Sequence, residues 1–261
     1  MSDTLVTRQR GAIFEIVLNR EDKRNAMNWE MIDALSKAID EAERLYTAGQ
    51  ARAVYILSEG RVFSSGIDLE SFMVEHNRFG ERWTSNLFPM TEALQNVFNR
   101  VEDCSLPVFC LLHGYCLGLG LELALACDFR IAAERTRIAL PESRLGMIPD
   151  VGGTTRLTKL IGPSRAKEII MRGDNVDLEL AERWGLVNYI VPKEMLIAKA
   201  DEIAGAIAQS APMAVSYTKR VVNDILENGP DLKREAWAQA QLLRTQDFEN
   251  GVKAMLTKTY P

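Results

Sequence analysis

Apolar positions change their period repeatedly along the chain, and each change predicts an element. Leu5–Arg10 and residues 12–18 are two β-rich runs meeting at Gly11, which reads as a hairpin. A polar loop over 19–25 follows. Asn28 then stands as an N-cap before Met31, Ile32, Leu35, Ile39 and Ala42, whose spacing predicts a helix to about Leu45. Residues 53–57 read as a short buried strand, and 63–69 as a small-residue turn after it. Residues 71–88 are mixed in pattern, with Phe79, Trp83 and Phe88. They read as a flap that shapes a pocket. A helix fits 90–101 and stops before Pro107.

Residues 108–127 are nearly all apolar and long enough for a membrane span. They also hold Gly114-x-x-x-Gly118, a helix-pairing pattern. His113 and Glu122 interrupt the run, and three glycines weaken it as one helix. The better division is a strand (Val108–Leu112), a glycine turn, and a buried helix from about Leu119. A strand at 129–132 follows, then one closing at 139–142, and a helix opened by the turn 150–155. From 163 onward the pattern is helical, with Pro163, Asp177, Pro192, Pro212 and Pro230 at helix starts. Only 187–191 reads as a strand. Alternating strands and helices predict an α/β layer structure with parallel strands. The expected organisation is a core over 1–195 and a helical unit over 196–261, whose apolar faces suit burial against a partner subunit.

Composition narrows the chemistry. The 261 residues carry 31 Lys+Arg against 36 Asp+Glu, a net charge of -5. That balance disfavours non-specific binding to nucleic acid or anionic membrane. Two histidines, His76 and His113, cannot build a multi-histidine metal cage. Cys104, Cys110, Cys116 and Cys127 fall in one apolar stretch without a C-x-x-C pair, so they read as reduced packing residues. The first residues lack a basic segment followed by an apolar one, and a cytoplasmic location is expected.

The turn from Gly114 through Gly118 to Gly120 sits between a strand and a helix. It is not a G-x-G-x-x-G fingerprint, because position 123 is Leu, and no phosphate-loop lysine follows. It is either an oxyanion-binding turn or a packing turn. Glu122 lies among Leu121, Leu123, Ala124 and Leu125, where a carboxylate is costly unless paired, protonated or functional. Its plain alternative is an acid favoured by the helix dipole. Glu142 follows Ala139-Leu140-Pro141. Asp150 precedes Gly152-Gly153, and an N-cap is its plain alternative. Carboxylates in partly apolar surroundings can take different pKa values, giving an acid–base pair without histidine. Other constellations are incomplete. Cys110-x-x-His113-x-x-Cys116 lacks a fourth zinc ligand. Ser64 or Ser65 with His113 lacks a nucleophile elbow. Cys116 has no basic neighbour in sequence.

Several motifs now stand in order. Phe63-Ser64-Ser65-Gly66-Ile67-Asp68-Leu69 resembles the F-x-x-G-x-D-L segment of the crotonase superfamily, the enoyl-CoA hydratase/isomerase family. His113 to Asp128 resembles its second glycine turn and helix, and Leu140 to Leu157 the segment with its second acid. The Asn25-Ala26-Met27 loop, the stretch from Ala181 to Asn188, and Gly251-Val252 also fit. The resemblance covers essentially the whole chain.

It implies a spiral of β-β-α units with a helical C-terminal oligomerisation subdomain, assembled as a homotrimer or homohexamer. It implies an acyl-CoA thioester as ligand, with no metal or other cofactor. The backbone N–H groups of Ile67 and Leu119 fall at the positions of the oxyanion hole. Glu122 and Glu142 both fill the acid positions, as in hydratases. The implied roles are water activation for Glu122 and proton delivery to the α-carbon for Glu142. Arg24, Ala26, Ser65, Gly66, Asp68 and Gly118 fall on the substrate and coenzyme side. Asp150 stands where hydratases often have glycine and dienoyl-CoA isomerases an aspartate, which keeps isomerisation through Glu142 and Asp150 as an alternative. A silent acyl-CoA-binding member is a third. Leu119 replaces a common glycine, and Glu21 a common proline. Arg20, Lys23 and Arg24 form a basic patch expected to face the coenzyme phosphates, unless it is a solvated loop.

Overall fold

A computed structural model describes residues 4–74, 87–230 and 232–257. Most of the flap expected at 71–88, including His76, Phe79 and Trp83, lies outside the described residues. The chain divides into two compact units, Met1–Ala204 and Gly205–Pro261.

In the first unit, β1 (Leu5–Arg10) and β2 (Ile13–Leu18) form the hairpin, turning at Gly11 with φ +59°. Strands β3 (Ala53–Ser58), β4 (Val108–Leu112), β6 (Phe129–Ala133) and β8 (Tyr189–Val191) add to β2, all parallel, in the order β1-β2-β3-β4-β6-β8. The central strand β4 is buried throughout and reads as an unbroken apolar run, as a strand covered on both faces does. Helix α1 (Trp29–Thr47) lays Met31, Ile32, Leu35, Ile39 and Ala42 into the core. The Asn28 side chain caps it by accepting the Met31 N–H at 3.0 Å. Among the described residues, no helix is long and apolar enough to cross a membrane.

A second layer appears where the sequence shows turns and one short strand, the one expected to close at 139–142. The glycine turn itself contains a strand, β5 (Tyr115–Leu117), paired in parallel with β7 (Arg137–Ala139). Single bridges extend this pair at both ends: Met27 with Ile67, Ser64 with Cys116, and Ile138 with Val176. Each circuit of the chain thus gives a long strand to the main sheet and a short one to this row. Three residues are too few to show an alternating pattern, which is why the row as a whole is invisible to periodicity.

The helices that carry the site are α2 (Leu69–Val74), α3 (Leu87–Glu102), α4 (Leu119–Leu125) and α5 (Gly153–Ile161). Then come α6 (Pro163–Arg172), α7 (Leu178–Arg183) and α8 (Leu196–Ile207). The second unit contains α9 (Pro212–Asn228), α10 (Leu232–Leu242) and α11 (Gln246–Leu256). Tyr217 and Trp237 pack within it, with ring centroids 5.7 Å apart.

Candidate active site

The second-layer row brings two turns together. The Ser64 carbonyl accepts the Leu117 N–H at 3.1 Å, and the Ser64 N–H donates to the Tyr115 carbonyl at 2.9 Å. Met27 N–H donates to the Gly66 carbonyl at 2.8 Å, and Ser65 N–H to the Arg24 carbonyl at 3.0 Å. Gly66 adopts φ +100°, and a Cβ there would stand 2.9 Å from the Leu117 carbonyl oxygen and 3.6 Å from the Leu119 nitrogen. Only glycine lets the turns approach this closely. Ile67 and Leu119 also line one narrow crevice with Met27, Trp29 and Leu94. Their N–H groups find no acceptor among the described residues.

Glu142 stands beside this junction. Gly118, at φ +50°, would place a Cβ 2.8 Å from Glu142 Oε1. Glu142 rides on a short 3-10 turn, Pro141–Leu145, and its Oε2 is buried without a partner among the described residues. Glu122, 3% exposed, turns its Oε1 toward the 150–153 loop and accepts the Val151 and Gly153 N–H groups at 2.8 Å each. A Cβ on Gly153 would lie 2.7 Å from that oxygen, so glycine is required there as well.

Burial pushes the Glu122 carboxyl up to about 8. The Gly153 and Val151 N–H groups oppose the rise, and the charges of Glu142 and Asp150 add to it. Burial also raises Glu142, against its own backbone N–H, with Asp150 again adding. The three acids singled out in the sequence therefore act on one another electrostatically.

Asp150 is not the N-cap of α5. Gly152 holds that position at φ +96°, and the Asp150 carboxylate instead accepts the Thr91 hydroxyl at 2.8 Å. The helix-dipole alternative for Glu122 is likewise insufficient, since its carboxylate has specific donors on another loop.

The 19–25 loop differs from the basic patch expected there. Arg20 does not join a free basic patch: its guanidinium pairs with Asp68 at 2.8 Å and donates to the Ala26 carbonyl at 2.7 Å. Asp68 is thereby a loop anchor, also accepting the Ser71 N–H at 3.2 Å at the start of α2. The Arg20 guanidinium holds it below the usual carboxylate range against the cost of burial. Arg24 and Asn25 both sit at φ +53°. Asn25 tolerates this and locks it, its Oδ1 accepting the Arg20 N–H at 2.8 Å and its Nδ2 donating to Glu59 and Val62 carbonyls at 2.9 Å. Asn25 is fully buried and was legible only as a loop residue. Beside it opens a cavity of about 1090 Å³ whose lining sets Arg24, Arg61, Arg135 and Arg137 against Glu21 and Asp22, a net positive balance.

The competing constellations do not assemble. Ser64 is fully buried, its hydroxyl donating to the Asn25 carbonyl at 2.8 Å and accepting the Gly66 N–H at 3.1 Å. The His113 ring faces the Gly60 carbonyl at 3.1 Å, and burial lowers its pKa. Burial pushes the Cys116 thiol far up, away from nucleophilic thiolate.

A parallel spiral with a second row of short strands, and with helices closing each circuit, is the crotonase fold. The chain superposes on an enoyl-CoA hydratase from Bacillus anthracis with TM-score 0.87 and 31% identity, over 99% of this chain and 98% of that one. The pattern of the enoyl-CoA hydratase/isomerase family matches residues 8–261, and the chain belongs to that family. Probable enoyl-CoA hydratase 2, mitochondrial, of Arabidopsis thaliana is 35% identical, covering 95% of this chain and 80% of that protein. A Delta(3,5)-Delta(2,4)-dienoyl-CoA isomerase, mitochondrial, of Dictyostelium discoideum is 27% identical, covering 95% and 86%. Relatives thus include both reaction types.

Proposed function

We propose that the protein is an enoyl-CoA hydratase, adding water across the 2,3 double bond of a 2-enoyl-CoA thioester. The observation that carries this reading is the pair of carboxyls, Glu122 buried and Glu142 half-buried beside Gly118, both raised and near enough for the charge of Glu142 to raise Glu122. The N–H groups of Ile67 and Leu119 take the thioester oxygen and stabilise the negative charge that develops there. Ionised Glu122 removes a proton from water. The water oxygen bonds to C3, and the π electrons pass through C2 to the thioester oxygen. As they return, C2 takes the proton of Glu142. The product is a 3-hydroxyacyl-CoA, and the proton gained by Glu122 resets the pair.

Glu122 is suited to hold the water because two backbone N–H groups fix its carboxylate. Glu142 is suited to release a proton because its buried Oε2 has no internal partner among the described residues. Burial and mutual repulsion hold a proton on the pair at neutral pH, and hydration proceeds from the form in which that proton sits on Glu142 and Glu122 is ionised. The arginine-lined cavity beside Arg24 supplies the positive field that coenzyme phosphates need. The exposed apolar side chains Leu226, Leu232, Trp237 and Leu256 of the second unit suit a homotrimer or homohexamer.

The test is the loss of enoyl-thioester absorbance on adding the protein to crotonyl-CoA and longer 2-enoyl-CoAs. No loss with any of them sinks the reading. The dienoyl isomerase alternative draws on Asp150. Its signature is a shift of conjugated dienoyl absorbance that disappears in Asp150→Asn. Binding of CoA esters without either reaction across the panel leaves a silent binding member.

A further inference from the structure

Helix α3 carries a polar stripe that the reaction above does not use. Thr91, Gln95, Asn99 and Glu102 follow one another at helical spacing on one face. Each is bonded to the stretch from Asp150 to Arg156. The Thr91 hydroxyl donates to Asp150 Oδ2 at 2.8 Å, and the Gln95 amide donates to the Asp150 carbonyl at 2.6 Å. Buried Arg156 extends the contact: it donates to Asn99 Oδ1 at 2.6 Å and pairs with Glu102 at 2.8 Å. Its Nη1 then donates to the Val151 carbonyl at 3.1 Å. The same short turn supplies the Val151 and Gly153 N–H groups to Glu122. A Cβ on Gly152 would overlap the Arg156 guanidinium, so the turn and this cation are fitted to each other.

The arrangement is a chain of contacts with a direction. One helix face holds the turn by the Asp150 carboxylate and carbonyl, and it also holds Arg156, whose guanidinium donates to the next carbonyl, that of Val151. The turn's outward N–H groups hold a carboxylate on a different helix. A shift of the turn moves both donors of Glu122 together, and a displacement of about 1 Å at a reacting group can cost about 100-fold in rate. The Thr91 hydroxyl also fixes the direction of the Asp150 carboxylate, turning its Oδ2 toward α3.

We propose that the stripe on α3 is a positioning device, in which Thr91 and Gln95 anchor Asp150 so that the 150–153 turn presents Glu122 for hydration and Asp150 does not serve as a proton shuttle. The inference rests on the hydratase reading of Glu122 and Glu142. It makes Thr91 a positioning residue that sets reaction specificity without touching substrate.

The experiment compares Thr91→Val, Thr91→Ser and Gln95→Met in the full-length protein. Hydration of crotonyl-CoA, isomerisation of a 3,5-dienoyl-CoA, and amide hydrogen exchange of the 149–155 segment are all measured. Thr91→Val is expected to lower kcat for hydration about tenfold with KM within twofold. It is expected to raise the ratio of isomerisation to hydration, and to speed exchange at Val151 and Gly153. Thr91→Ser keeps the hydroxyl and restores all three. Gln95→Met, which leaves the carboxylate bond intact, gives a smaller loss of kcat in the same direction. Exchange in Thr91→Val equal to the parent, or a loss of kcat that serine does not restore, overturns the positioning role. If the parent hydrates no enoyl-CoA, the hydratase reading fails on its own. The clamp is then still decided by the exchange rates, which need no turnover.

Discussion

Glu122→Gln separates stability from catalysis, because the structure predicts opposite signs for the two. Glutamine has the same shape and keeps an Oε1 that accepts the Val151 and Gly153 N–H groups, both 2.8 Å from the present oxygen. What it removes is a buried titratable charge. The Glu122 carboxyl rises from an ordinary 4.5 to about 8 in the fold, chiefly through burial. A raised folded pKa means that the fold holds the proton more tightly than the unfolded chain does. Its stabilising contribution is therefore complete below pH 4.5 and is lost as pH climbs through 8. Between those limits each pH unit removes about 1.4 kcal/mol, so the full loss by pH 9 is about 5 kcal/mol. Glutamine does not titrate and escapes this loss. For a chain of this size 1 kcal/mol moves Tm by about 2–4 °C, so the variant is expected to melt about 10 °C or more above the parent at pH 9. The gap narrows steadily toward pH 5.5. Turnover of crotonyl-CoA falls at least ~100-fold in the same variant. The assay is a pair of melting series from pH 5.5 to 9, with enoyl absorbance read in parallel. A Tm gap independent of pH refutes the buried-charge argument. A pH-dependent gap with unchanged turnover removes Glu122 from the chemistry.

The parent's kcat/KM is expected to rise with pH toward a limb near 8, since Glu122 must lose its proton to act as base. A fall through that range, absent in Glu122→Gln, assigns it the acid role instead. Gly118→Ala forces an L-residue into φ +50° and puts a methyl carbon 2.8 Å from Glu142 Oε1. The strain costs about 1–3 kcal/mol of stability, and the displaced acid about 100-fold in kcat; kcat within threefold of the parent means Glu142 is not held where the reaction needs it. Arg61→Ala with Arg137→Ala is expected to raise KM for crotonyl-CoA about tenfold or more. KM for the same acyl group on a short pantetheine thioester, which lacks the nucleotide phosphates, stays unchanged, and equal effects on both thioesters would place the phosphates elsewhere.

Most of the main sheet and its helices were legible because they are long enough to show a period. The apolar spacing from Met31 to Ala42 marks the buried face of α1, and β4 announces its central place as an unbroken apolar run. The short second layer was legible only at β7, read as a strand closing at 139–142; β5 has three residues, the other members are single bridges, and their pairing left no period. The acids could be found in sequence because a carboxylate among leucines is conspicuous. Their partners could not. Arg20 and Asp68 lie 48 positions apart, and nothing local tells a solvated arginine from one that turns inward. Thr91 and Gln95 did leave a trace, a polar stripe on a helix, but such a stripe is ordinarily the solvent face. Only the structure, with Asp150 59 positions away, shows that this partly exposed stripe is also bonded to the 150–156 stretch.

That distance bears on how one fold serves two reactions. The oxyanion donors of the proposed site come from backbone fixed by the second layer, where Gly66 and Gly118 admit no larger residue without displacing a carbonyl or an acid. Those positions are constrained whatever the chemistry. The acids hang on side-chain bonds to loops and to α3, which a single substitution can re-aim without disturbing the sheet. Asp150 is the case in point. On the positioning role proposed for Thr91, the same carboxylate is an anchor when Thr91 holds it and a base when it is released, so its identity in the sequence does not by itself decide between hydration and isomerisation. On that proposal the deciding residue is the one opposite, which need never touch the substrate.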